Sequence, residues 1–233
     1  MSRNIDNIID QHEELTMISS YTSKLIKKTF GKGPESCFSQ LSDQYIVIYI
    51  KKFMTPIEEV LVSKGKLTLA ESIRNTVMKE IYLSLTDTLH NTLGKKVYKF
   101  YTDWDYINNI GVIWGEWEES TPSNKELPIA KSLKSQVLLY GQELFQEITD
   151  LSIERIGHTV YLAKCNVDLL PIEKVLLEKG LVELLKENER EVRHFYSSRK
   201  KSLEKVFNRE IEAIFMCWDY SMNSFYILFI LKS

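Results

Sequence analysis

Apolar positions near the start of the chain recur at helical spacing. Ile18, Tyr21, Leu25 and Ile26 lie one, three or four residues apart and predict an amphipathic helix from about Glu14 to Phe30. Phe30-Gly31-Lys32-Gly33-Pro34 ends it, because a glycine just past a helix takes the left-handed conformation and a proline cannot continue the helix. The pattern then changes to strands, Cys37–Leu41 and Tyr45–Ile50, joined by the polar turn Ser42-Asp43-Gln44. Thr55-Pro56-Ile57-Glu58 carries the signs of a helix start, with a capping threonine, a proline at the first position and a glutamate three residues on. Gly65 separates this short helix from a longer one in which Ile73, Val77, Ile81, Leu85, Leu89 and Leu93 recur every fourth residue as one apolar stripe. Gly94-Lys95-Lys96 closes that helix. Val97–Tyr101 and Ile110–Trp114 form a second hairpin, turning through Trp104–Asn109.

This α-β-β-α-α-β-β order is written twice. Pro56-Ile57-Glu58-Glu59-Val60-Leu61 returns as Pro171-Ile172-Glu173-Lys174-Val175-Leu176, and Lys64-Gly65 as Lys179-Gly180. Tyr101-Thr102-Asp103-Trp104-Asp105-Tyr106 is echoed by Phe215-Met216-Cys217-Trp218-Asp219-Tyr220. Upstream, Ile18, Tyr21, Leu25 and Ile26 lie on Val137, Tyr140, Leu144 and Phe145. The second copy is expected to run as a helix Val137–Ile148, strands Ile153–Ile156 and Thr159–Cys165, helices from Pro171 to Phe207, and strands Glu210–Met216 and Phe225–Leu231. The expected fold class is α+β. It comprises two tandem repeats, each a four-stranded, mainly antiparallel sheet with helices on one face. The copies occupy residues 10–117 and 131–233, with the polar, two-proline stretch 118–130 as linker. They are expected to pack on each other as a pseudo-dimer, since the polar long helix of the second gives little for an independent core.

Three motifs in order resemble one family. Phe30-Gly31-Lys32-Gly33-Pro34-Glu35-Ser36, then Phe53 to Leu61, then Gly94-Lys95-Lys96-Val97 leading to Asp103 are similar to the MpsC family over residues 14–117. Its members are described as part of a sodium-translocating, membrane-potential-generating system of Gram-positive bacteria. The resemblance implies a non-enzymatic accessory protein beside a membrane ion or bicarbonate uptake system, with protein partners and no catalytic residues to carry over. The second copy lacks Gly-Lys-Gly-Pro and is shorter there, so any function tied to that loop belongs to the first.

The remaining composition narrows the chemistry. A net charge of -2 lacks the basic excess of a nucleic-acid binder. The longest apolar run, Phe225–Leu231, is far too short to cross a bilayer, and no apolar signal core opens the chain, so a soluble, cytoplasmic protein without direct membrane insertion is expected. Cys37, Cys165 and Cys217 show no paired spacing, which fits a reducing compartment. His12, His90, His158 and His194 form no metal-ligand motif, and neither metal nor cofactor is expected.

Gly31, Lys32 and Gly33, with Lys28, form the candidate ligand site. Successive N–H groups in a glycine turn make an anion nest, and the lysines add charge, which would suit a small-ligand or anion sensor. The loop nevertheless follows a helix, whereas phosphate loops precede one, and a helix C-cap is the plainer reading. Trp104-Asp105 and Trp218-Asp219 read as a structural hairpin feature, with Asp bonding backbone and Trp covering the sheet end.

Overall fold

The computed structural model describes residues 2–119, 127–144 and 147–232. The chain divides into two compact units, Met1–Pro122 and Ser123–Ser233. The first holds helix α1 (Ser2–Phe30), strands β1 (Ser36–Leu41) and β2 (Tyr45–Lys51), helices α2 (Pro56–Ser63) and α3 (Leu67–Leu93), and strands β3 (Val97–Asp105) and β4 (Ile110–Trp117). The four strands are antiparallel in the order β1-β2-β4-β3. Ser42 sets the first hairpin: its hydroxyl accepts from the N–H groups of Gln44 and Tyr45, and its own N–H donates to the Tyr45 carbonyl at 2.8 Å.

Side chains alternate along β2, so Ile46, Ile48 and Ile50 share one face and meet Ile18, Ile26, Ile81, Leu85 and Leu89 from the helices in one core. The apolar stripe of α3 differs from the expectation in its first half. Ile73 is 44% exposed, and the buried row is Ala70, Arg74, Met78, Ile81, Leu85 and Leu89. A four-residue step turns the helix through about 400°, so a strict four-residue row drifts by about 40° each time. A row that stays on the sheet needs a three-residue step, here Met78 to Ile81. That correction places an arginine in the core.

The second unit runs α4 (Ala130–Glu143), β5 (Glu147–Ile156), β6 (Val160–Asp168), α5 (Pro171–Glu178), α6 (Val182–Ser198), α7 (Lys200–Phe207), β7 (Ile211–Asp219), a 3-10 turn (Tyr220–Met222) and β8 (Ser224–Leu231). Its sheet is antiparallel in the order β5-β6-β8-β7, the strand order of the first unit repeated. The helix expected to reach Ile148 stops at Glu143. Ile148 belongs to β5, where it pairs with Val167. The three-to-four residue apolar spacing favours a helix, and pairing with β6 overrides it at Ile148. Phe145, and residues 120–126 of the expected linker, lie outside the described residues.

The α3 register has a direct test. Met78→Ala is expected to lower unfolding free energy by roughly 2–5 kcal/mol, whereas Ile73→Ser is expected to stay within about 0.5 kcal/mol, both read from urea melts.

Candidate functional site

The start of α2 is fixed locally. Thr55 takes an extended conformation and its hydroxyl accepts from the Glu58 N–H, while the Glu58 carboxylate accepts from the Thr55 N–H at 2.8 Å. Such a reciprocal box satisfies two otherwise orphaned donors. Glu58 has a second role that the box does not disclose. It is buried, and its carboxylate receives Arg74 in a two-pronged pair, Nε to Oε1 at 2.6 Å and Nη2 to Oε2 at 2.6 Å. Arg74 has no exposed surface. Its Nη2 also donates to the Phe53 carbonyl at 3.2 Å, and its Nη1 makes no hydrogen bond.

Three rings surround the guanidinium. The ring centres of Phe30, Phe53 and Trp104 lie 4.3, 4.4 and 4.7 Å from Cζ. Tyr106 completes the group by donating its hydroxyl to Glu58 Oε1 at 3.4 Å. Burial alone would push the Glu58 carboxyl up, but the Arg74 hydrogen bonds and charge, helped by Thr55, outweigh it and hold the group below its ordinary value. The Tyr106 hydroxyl is pushed up by burial and by the Glu58 charge.

The surrounding backbone is shaped to admit these rings. Trp104 faces Gly111 across the β3–β4 ladder, and a Cβ at Gly111 would stand 2.1 Å from the indole ring. Only glycine leaves that slot open. Asn109, in the left-handed conformation, ties the hairpin to the segment before α2: its side-chain oxygen accepts from the Met54 N–H and its carbonyl from the Lys52 N–H. Asp105 accepts from the N–H groups of Ile107 and Asn108, so it holds the turn, while Trp104 lies within β3 rather than in the turn and packs into the core.

Gly31 caps α1 with φ +77° and its N–H on the Lys27 carbonyl. Gly33 passes Lys27 so closely that a Cβ there would sit 3.1 Å from the lysine Cβ. Lys32 reaches Glu59 at 3.4 Å, and Lys28 is exposed on the last turn of α1. The loop therefore lies at the negative end of the α1 dipole. It turns the chain directly after Phe30, whose ring lies over Arg74. Cys37 lines a cavity of about 660 Å³ between α1 and β1, where burial pushes its thiol up to about 12. Among the described residues no group of histidine, cysteine and acidic side chains is placed to hold a metal ion.

Arg74 carries no sequence motif, and the motifs that contain Phe53 and Tyr106 do not disclose that they meet it. The available signal was a lone arginine with apolar residues four positions to either side, Ala70 and Met78.

The second unit keeps the frame and changes the charge. Gly65 and Gly180 occupy the same turn, both with φ near +70°. Glu173 accepts from the Leu170 N–H at 2.9 Å, but leucine has no oxygen to return the bond, so only half the box remains. At the place of Arg74, nine residues after the glycine, stands Glu189, and Tyr220 donates to it at 2.9 Å. Burial and then the Glu189 charge push the Tyr220 hydroxyl up. Trp218 faces Phe225 rather than a glycine and stacks on it at 5.4 Å.

Removing Arg74 leaves a buried carboxylate without its counter-charge. Arg74→Met is expected to cost about 3–5 kcal/mol of stability, measured by denaturant unfolding. The acid limb tests the other partner. Because the folded Glu58 value is depressed, its stabilisation is complete above the ordinary carboxylate value of 4.5 and is lost as pH falls through the lower folded value. Thermal melts from about pH 6 to pH 3 should fall less steeply for Glu58→Gln, from a lower starting point, than for the parent.

No curated protein and no solved structure matches the chain. Residues 11–115 match a family model described as the Na+-translocating membrane potential-generating system (MpsC). The match runs from α1 into β4 and takes in every residue of the Arg74 cluster. The likeness to the MpsC family therefore lies in the first unit, residues 11–115.

Proposed function

We propose that the chain is a non-enzymatic accessory or regulatory protein of a membrane ion-translocating system, acting through protein–protein contacts on its cytoplasmic side. The match over residues 11–115 to a family named for Na+ translocation carries this reading. Two further observations support it. The motifs shared with the family close around a buried ion pair whose rings leave the guanidinium out of water, which is the design of a scaffold rather than of a reacting centre. No helix among the described residues is long and apolar enough to cross a membrane.

The contact surface on this reading is the outer face of α2. Ile57 and Val60 lie three residues apart on one side of that helix, and both are exposed. Leu69, just inside α3, is exposed as well, and the corresponding Ile172, Val175 and Leu184 of the second unit are exposed in the same way. Apolar side chains held outside in both units suit a partner. The second unit is then a copy that retains the frame and has lost the arginine.

Affinity purification from detergent-solubilised membranes of the native bacterium tests the reading. The tagged chain is expected to recover a subunit of an ion-transport system, and Ile57→Asp/Val60→Asp to lose it with an unchanged melting temperature. Recovery of no such subunit by the parent, or equal recovery by the double variant, would contradict it.

A further inference from the structure

The first unit holds a guanidinium of its own, and the second has a cavity near the equivalent place. In the first unit Phe30 closes over Arg74, and five residues then lead to β1. In the second, α4 stops at Glu143 and β5 begins at Glu147, so the connection is shorter and the Gly-Lys-Gly-Pro loop is missing. A cavity of about 420 Å³ opens beside the end of α4. Leu144, Leu170, Val192 and Phe195 form its apolar wall, and Glu173 and Glu191 supply carboxylates.

Glu173 stands where Glu58 stands in the first unit, and it is only 8% exposed. Its Oε2 accepts from the Leu170 N–H, and the residue at the place of Arg74 is Glu189, which brings no positive charge to it. Arg199 also lines the cavity, but it is paired with Glu143 at 2.7 Å and lies flat against Phe195. The two lining carboxylates therefore outweigh the free positive charge. His194 lies on the same wall.

We propose that this cavity binds a small organic cation, with a guanidinium or primary ammonium head on Glu173 and a short aliphatic stem against Phe195 and Val192. The first unit supplies the template, because there the same glutamate at the start of the same helix holds a guanidinium between apolar walls. The size falls within the range of roughly 300–1,000 Å³ usual for small-molecule sites. A charge-assisted hydrogen bond to a carboxylate is roughly twice as strong as a neutral one, which favours a cation over its uncharged isostere.

Calorimetric titration of the full chain with N-butylguanidine tests the proposal, with N-butylurea as the neutral isostere. N-Butylguanidine is expected to saturate the chain below about 1 mM, and N-butylurea to show no binding in that range. Glu173→Gln keeps an oxygen for the Leu170 N–H and removes the charge, so it should weaken binding at least about tenfold while still melting cooperatively. Asn188→Trp, an exposed position at the cavity rim, should block binding without touching the carboxylate. Absence of saturation up to about 10 mM, equal binding of N-butylurea, or parental affinity in either folded variant would overturn the proposal.

Discussion

A guanidinium sealed from water dictates much of the first unit. Taking an unpaired charge into a protein interior costs several kcal/mol, and the pairing of Arg74 with Glu58 offsets that cost without adding much beyond it. What the pair supplies is placement. Glu58 is fixed by the capping box of α2, Arg74 by the buried row of α3, Phe53 by the strand exit, and Trp104 and Tyr106 by the second hairpin. Each piece is local in sequence and meets the others only at this point. Shifting α3 by one residue would carry the arginine some 100° around the helix and leave the carboxylate alone.

The comparison of the two units separates frame from filling. Both keep the strand order, the proline-started helix, the left-handed glycine after it, and an asparagine at the second hairpin whose carbonyl accepts from the exit of the second strand. Those features depend on backbone conformation, which tolerates little change. The interior of the cluster differs: Gly111 against Phe225, Arg74 against Glu189, Thr55 against Leu170. With phenylalanine opposite it, Trp218 cannot enter a slot as Trp104 does, and it stacks on the new ring instead. The charge balance follows the same line, from one arginine facing one glutamate to two glutamates beside one tyrosine.

Much of this was legible in the sequence, and the omissions have physical reasons. The capping box, the glycine stops and the hairpins are written in neighbouring residues, so order and topology could be read. The core row of α3 could not, because a four-residue repeat is visible by eye whereas its drift around the helix is not. The strand at Ile148 depended on pairing with Val167, which lies 19 residues away. The Gly31–Pro34 loop is conspicuous in its own composition, whereas Arg74 lies 43 residues beyond Gly31 with no motif around it. Its environment is assembled from four separate segments, and no single window of sequence contains it.

The account rests on direct coupling between Arg74 and Glu58, and a double-mutant cycle measures that coupling. Unfolding free energies of the parent, Arg74→Met, Glu58→Gln and the double variant are expected to give an interaction energy of about 2–3 kcal/mol, the double variant losing much less than the sum of the single losses. Additivity within about 0.5 kcal/mol would contradict the account, because it would mean that the two side chains contribute independently and that the motifs do not converge on a shared ion pair.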